Sequence, residues 1–393
     1  MRRPGPWLRL AALFAAAATL LAVISGAASL GAAHRVLAAL ALPPLVALVA
    51  AAWLVHRQLL VPALGALVLF GIAALVTAAG AHLALSAVAF AATLIATAAT
   101  YRGEAVPHAA WRDYVTLTKP RIMSLLLVTG LGGMFVGAQG APSGWLVAVT
   151  MTGLALACGG SSALNHVLDR DIDKLMGKRT RARPLAAGRM PPARALEFGL
   201  TLSAFSFVLL ASLVNVLTAA LALVGNLFYV LVYTRWLKRA TPQNIVIGGA
   251  AGAVPPLVGW AAVTGNLGLP ALWLFLIVFF WTPPHFWALA LLIRRDYEAA
   301  RIPMLPVVRG ERETTRQILW YAAVLVGVTV VPVVWGPLGF FYLIAALALG
   351  GGFVWLAVRL RRATTPQHAS TLFHYSLLYL ALLFVAMAVD PLL

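Results

Sequence analysis

Charge is scarce in this chain, and negative charge scarcest. Only 10% of its 393 residues are charged, and 11 Asp and Glu stand against 29 Lys and Arg. An ordinary soluble domain carries about 25% charged residues, so that class is excluded. Cysteine is nearly absent. The single one, Cys158, stands inside an apolar run. No disulfide within the chain and no cysteine-built metal cage can form, and the residue reads as packing. The period-two alternation of a transmembrane barrel is missing, as are low-complexity tails and clear repeats.

What is there is apolar. Hydrophobic residues make up 62% of the chain, and the mean hydropathy is +0.93. Runs near 20 apolar residues recur, each long enough to cross a bilayer as a helix. Backbone groups in lipid must be satisfied within the segment, so the expected fold is an all-α polytopic membrane bundle. The net charge is +18. In a soluble protein that would suggest nucleic acid; here it fits basic loops held on one membrane face.

Hydropathy places four spans first, at about 10–31, 35–55, 59–79 and 82–100. The charged N-terminus before the first run imitates a signal peptide, but the run is longer than one and further spans follow at once. A polar segment, 101–120, precedes nine more, at about 122–139, 144–165, 195–214, 217–234, 244–263, 269–293, 317–336, 339–358 and 371–390. This divides the chain into a four-helix membrane domain, 1–105, and a nine-helix domain, 106–393. With the N-terminus in the cytoplasm, almost every Lys and Arg falls on the cytoplasmic face, and the opposite face holds only Arg35. The positive-inside rule asks for this one-sidedness, and it predicts a multi-pass protein of the cell membrane.

The segment from Asn165 to Asp173 ends one apolar run. Asn165, Asp169 and Asp173 recur at i, i+4 and i+8 and share one helical stripe, advancing about 40° per step. Asp171 points away from it. Eight basic residues follow or intervene: Arg170, Lys174, Lys178, Arg179, Arg181, Arg183, Arg189 and Arg194. Carboxylates with water suit Mg²⁺, which is usually shared with substrate phosphates, and nearby Arg and Lys would hold the remaining phosphate oxygens. Taken alone, such a stretch is equally a solvated helix end with balancing ion pairs.

Two further loops reach the same face. One carries Arg294, Arg295, Asp296, Glu298 and Arg301; it follows Pro283, Pro284 and His285, where the proline pair is expected to distort its span. The other is 233–239, with Lys238 and Arg239. Acids and bases gathered at one edge of an apolar bundle suit a lipid diphosphate. Its head would sit among metal and cations, and its tail would enter the bundle. A transporter would rather place ionisable groups near the midplane.

Several segments resemble the UbiA superfamily of intramembrane prenyltransferases, and within it the protoheme IX farnesyltransferases, or heme O synthases. They are 113–121, Asn165 through Asp173, Arg179-Thr180 with Arg183-Pro184-Leu185, Tyr233-Thr234 with Leu237-Lys238-Arg239, 242–245, 284–287, Asp296-Tyr297 with Ala300, and 303–308. The likeness covers about seven-tenths of the chain. It implies transfer of farnesyl from farnesyl diphosphate to a vinyl group of protoheme IX (heme b), with addition of water and release of diphosphate. It further implies that Asn165, Asp169, Asp173 and Asp296 hold Mg²⁺, and that Lys119, Arg121, Arg183, Lys238 and Arg239 meet the diphosphate. Another aromatic or tetrapyrrole acceptor is the alternative. The wider superfamily often carries a second carboxylate four positions after the first; here that position is Ala300, which puts a complete second metal cage in doubt. His285 and His166 are candidate heme contacts or proton relays, against the reading that each only bonds a freed carbonyl.

Residues 1–105 resemble half of a heme A synthase through His34-Arg35 and the stretch from Gly71 to His82. That likeness implies a second bound heme ligated by His34 and His82, and a heme A synthase as partner. The alternative is two interfacial histidines capping helix ends.

Overall fold

The computed structural model describes residues 6–27, 32–54, 110–334 and 336–393, with a few single positions between 63 and 93. Among the described residues nine helices are long and apolar enough to cross a membrane. The first two helices, α1 (Pro6–Ala27) and α2 (Ala32–Leu54), pack on each other and bury Ala12, Ala15, Leu45 and Leu48. They occupy the first two expected spans. Of the expected spans at 59–79 and 82–100 only those few positions are described, and the rest lies outside the described residues. So do His82 and the side chain of His34, whose backbone stands in the first turn of α2.

The nine spans begin after a short interfacial helix, α3 (Trp111–Thr118). They are α4 (Pro120–Ala138), α5 (Gly144–Leu168) with its one-turn extension α6 (Arg170–Asp173), α7 (Pro192–Leu213) and α8 (Val216–Leu227). Next come α9 (Asn244–Gly252) with α10 (Val254–Thr264) as one span, then α11 (Leu269–Leu292), α12 (Gly310–Val334), α13 (Phe340–Arg362) and α14 (Pro366–Val389). Each expected span of the nine coincides with one of these helices. The helices run a few residues past the apolar stretches, because hydropathy marks the lipid boundary and not the last hydrogen bond.

Local chemistry sets the ends. Ser143, Asn215 and Thr365 accept from backbone N–H groups in the first turns of α5, α8 and α14, satisfying donors that a helix start leaves orphaned. Gly265, at φ 69°, closes α10. Packing in lipid relies on close approach more than on a hydrophobic driving force. Thus α4 and α10 meet where a side chain on Gly259 would collide with the Gly130 carbonyl, and one on Gly133 with Pro256. The larger core lies among α11, α12, α13 and α14, around Trp287, Tyr342, Phe353 and Tyr379.

Two local outcomes differ from the sequence reading. The proline pair leaves α11 unbroken through Leu292, held on both sides by packed neighbours. Helix α8, by contrast, runs into a ten-residue π-helix, Phe228–Leu237, before a last α-turn at Lys238–Ala240. Nothing in the hydropathy marks that change.

Candidate metal and diphosphate site

Helix α5 carries the acidic stripe to the membrane edge and kinks at Asp169, whose φ and ψ are −91° and 0°. The helical register survives the kink: Asp169 N–H donates to Asn165 C=O at 2.9 Å and Asp173 N–H to Asp169 C=O at 2.8 Å. Asn165, Asp169 and Asp173 therefore share the expected face, all buried. Asp171 is turned outward and 58% exposed at its side chain.

Three cations come to this face from three different elements. Lys238, at the end of the π-helix, donates to Asp169 Oδ2 at 2.5 Å. Arg183, from the loop after α6, donates to Asp173 Oδ1 at 2.8 Å. Lys119 donates from its Nζ to Asn165 Oδ1 at 2.8 Å. Its backbone is left-handed, φ 49° and ψ 60°, and ends α3 while opening α4, a conformation a non-glycine residue holds only where its surroundings enforce it. Burial, reinforced by the Arg183 guanidinium, pulls the Lys119 ammonium down to about 7. The residue as a whole is half-buried while its ammonium is enclosed. Burial raises the Asp173 carboxyl above its ordinary range, with Arg183 opposing.

Each aspartate keeps one oxygen in reserve. Asp169 Oδ1 and Asp173 Oδ2 are buried and have no hydrogen-bond partner. A buried carboxylate oxygen without a donor is costly, so these two atoms fit a cation that completes the site. Among the described residues no three His, Cys, Asp or Glu side chains gather as a ready-made metal cage. The donor set is two carboxylates, which suits Mg²⁺, an ion that takes its remaining ligands from water and substrate phosphate. Asn165 ties the group together: its Oδ1 accepts from Lys119 at 2.8 Å, and its Nδ2 donates to Asp169 Oδ2 at 2.8 Å and to Thr234 Oγ1 at 3.1 Å.

Asp296 stands in the short helix Arg294–Ala299 that follows α11. Its carboxylate lies against Gly177, so close that any side chain at 177 would overlap it. Gly177 is four residues beyond Asp173, on the same turn of chain. Tyr297 is buried beside it, and desolvation pushes its hydroxyl up to about 12. Ala300 is buried in the core, so the position of a second carboxylate is filled by packing.

The remaining candidates lie elsewhere. Arg239 grips Asp171 with two bonds of 2.7 Å and caps the Leu168 carbonyl at 2.8 Å, on the outer side of the kink. Arg121 is exposed in the first turn of α4. His285 is stacked between Trp281 and Phe373 at 4.4 and 4.8 Å, with its Nδ1 on Ser376 Oγ at 2.6 Å. His166 is buried with neither ring nitrogen partnered. Sequence reasoning missed Thr234, Gly177 and the tie from Arg189 to Asp113, 3.0 Å, which pins the basic loop to α3. A hint was present for Thr234, which precedes Lys238 by four residues.

The model of the UbiA prenyltransferase family matches residues 126–384. A protoheme IX farnesyltransferase of Symbiobacterium thermophilum is 56% identical over 281 residues, 71% of this chain and 94% of that one. A protoheme IX farnesyltransferase of Chloroflexus aurantiacus is 48% identical over 350 residues, 85% of this chain. That share is too large to fit within 106–393 alone. The chain spans only 59% of the Chloroflexus relative. The solved structure of a UbiA homolog from Archaeoglobus fulgidus, bound to DMAPP and Mg²⁺, superposes with a TM-score of 0.53 at 16% identity, over 70% of this chain and 99% of that one. At that identity the likeness is one of fold.

Proposed function

Because the chain belongs to the UbiA prenyltransferase family, we propose that it is a multi-pass membrane enzyme that farnesylates protoheme IX. Farnesyl diphosphate supplies the chain, a vinyl group of heme b receives it with addition of water, and heme O and diphosphate are released. The observation that carries the diphosphate half is the pair of buried, unpartnered oxygens, Asp169 Oδ1 and Asp173 Oδ2, beside three cations. The acceptor rests on the names of relatives at 48% and 56% identity.

Asp169 and Asp173 would hold Mg²⁺ through those two oxygens. When bound, the ion supplies Lewis-acid stabilisation of the departing diphosphate. Lys238 and Arg183 occupy the other carboxylate oxygens and so fix which oxygens face the ligand. With Lys119 they place preorganised positive charge where the leaving group gains negative charge. Asp296, whose carboxylate lies against Gly177, would add a further acidic group to the rim. The allylic C–O bond breaks, the farnesyl carbon bonds to the vinyl terminus, and water adds to the carbon next to the porphyrin ring with loss of a proton. The apolar bundle keeps water from the allylic cation until the carbon–carbon bond has formed.

The test is heme extraction from cells carrying the wild type or Asp169→Asn. Wild type yields a farnesylated heme by chromatography and mass, and the variant yields heme b. Heme b alone from both, with ample farnesyl diphosphate, refutes the assignment.

The one-sided distribution of Lys and Arg supports placing the N-terminus and the acid–base rim in the cytoplasm, in the cell membrane. For residues 1–105 we propose a separate membrane domain in which His34 and His82 ligate a second heme, next to a heme A synthase. Support comes from the sequence alone. Full-length His34→Ala/His82→Ala protein should hold one fewer heme per chain than wild type; equal heme content removes the idea.

A further inference from the structure

Thr234 is a buried residue that no catalytic role claims. Its hydroxyl donates to the Tyr229 carbonyl, five residues back, at 2.8 Å. Among the described residues, threonines of the α-helical spans that bond a carbonyl of the preceding turn reach three or four residues back, as Thr282 does to Val278, Thr314 to Gly310 and Thr329 to Val326. The longer reach belongs to the π-helix, and π segments recur at functional sites. A hydroxyl has one proton. Since that proton goes to Tyr229, Thr234 Oγ1 faces Asn165 only as an acceptor.

The amide of Asn165 is then oriented by three constraints that agree. Lys119 Nζ, as an ammonium, has only donors and faces Oδ1. Asp169 Oδ2 only accepts and must face Nδ2. Thr234 Oγ1, its proton spent, must also face Nδ2. Both amide protons are thereby used. The bond to Asp169 shares Oδ2 with Lys238, and Oδ1 of the same carboxylate is the atom left free.

We propose that Thr234 is a positioning residue that acts through Asn165. The π-helix aims its lone pair at the Asn165 amide, the amide fixes the Asp169 carboxylate, and Asp169 Oδ1 is presented to the metal–diphosphate ligand. This rests on the reading of Asp169 and Asp173 as the metal–diphosphate grip. It assigns Asn165 to bridging Lys119 and Asp169.

The test uses the full chain in detergent, with Mn²⁺ in place of Mg²⁺ and inorganic diphosphate as the probe, followed by electron paramagnetic resonance. Neither heme nor farnesyl is present, so this titration and the heme-extraction assay fail separately. Outer partners of metal ligands typically change affinity by about 10- to 100-fold, and Thr234→Val is expected to weaken Mn²⁺–diphosphate binding by that much. Thr234→Ser, which keeps the hydroxyl, should stay within about threefold of wild type. In an Asn165→Ala background Thr234→Val should add no further loss. Wild-type affinity in Thr234→Val, equal weakness in Thr234→Ser, or additive losses in the double variant would each overturn the proposal. If Thr234→Val does not fold, Thr234→Ala carries the same comparison, because it also lacks the hydroxyl and adds no bulk.

Discussion

Lys238 and Asp169 form an ion pair at 2.5 Å in which the side chains are 11% and 1% exposed. Desolvation makes such a pair a poor source of net stability, but removing one partner leaves a buried charge uncompensated, at a cost of about 3–5 kcal/mol. Two substitutions should therefore behave differently. Lys238→Met should lower the melting temperature sharply and abolish turnover. Asp169→Asn also removes the countercharge of Lys238 but keeps an acceptor for it, so it should melt below wild type and above Lys238→Met, while turnover falls at least about 100-fold through loss of the metal-facing oxygen. Thermal melts and product assays on the same preparations separate the two.

Asp296 depends on a glycine. A methyl group at Gly177 overlaps its carboxylate, and the carboxylate must move. Misplacement by about 1 Å can cost about 100-fold in rate. Gly177→Ala is expected to lose between about ten- and 100-fold in kcat/KM with little change in stability. Unchanged kinetics would show that the Asp296 position is not used.

Metal removal should be readable without turnover. Chelation should abolish activity, and Mg²⁺ should restore it. A ligand that binds only the folded protein raises its stability by mass action, so Mg²⁺ with inorganic diphosphate should raise the melting temperature of wild type. The same addition should leave Asp173→Asn unmoved, since that variant lacks the oxygen without a donor.

Arg239 and Asp171 provide the contrast. Their pair is partly exposed, 33% and 58%, and such pairs contribute about 0–1 kcal/mol. Arg239→Ala should leave turnover within about threefold of wild type. The hydrogen bonds from Arg239 hold the Asp171 carboxyl at about 2, below its ordinary range. A group depressed on folding stabilises above its unfolded pKa, about 3.9, and loses that contribution as pH falls toward the folded value. Melting curves of wild type and Arg239→Ala should differ slightly at pH 6 and converge between about pH 4 and pH 2. A gap that widens in acid would reverse the assigned sign.

Much of this site was legible from residue spacing. Asn165, Asp169 and Asp173 are tied to one face by the helical period, and a polar turn after an apolar run places them at the membrane edge. Which of the five candidate cations meet them was not legible. Lys238 and Arg239 are neighbours in sequence with the same charge, yet one is buried on Asp169 and the other turns to Asp171. Their phase is set by the ten-residue π-helix before them, and hydropathy carries no sign of a bond pattern that shifts by one residue. Arg183 and Arg121 differ for a similar reason. The loop holding Arg183 folds back over α6, whereas Arg121 points outward from the first turn of α4.

The sequence by itself determined a helical membrane bundle and its acidic edge, because the bilayer admits few solutions for long apolar runs and because side-chain spacing along one helix is local. Tertiary structure decided the chemistry of that edge. Lys119, Arg183 and Asp296 come from three separate elements, and Thr234 and Lys238 from a fourth. Only packing of those elements brings donors to one oxygen of each aspartate and leaves the other free.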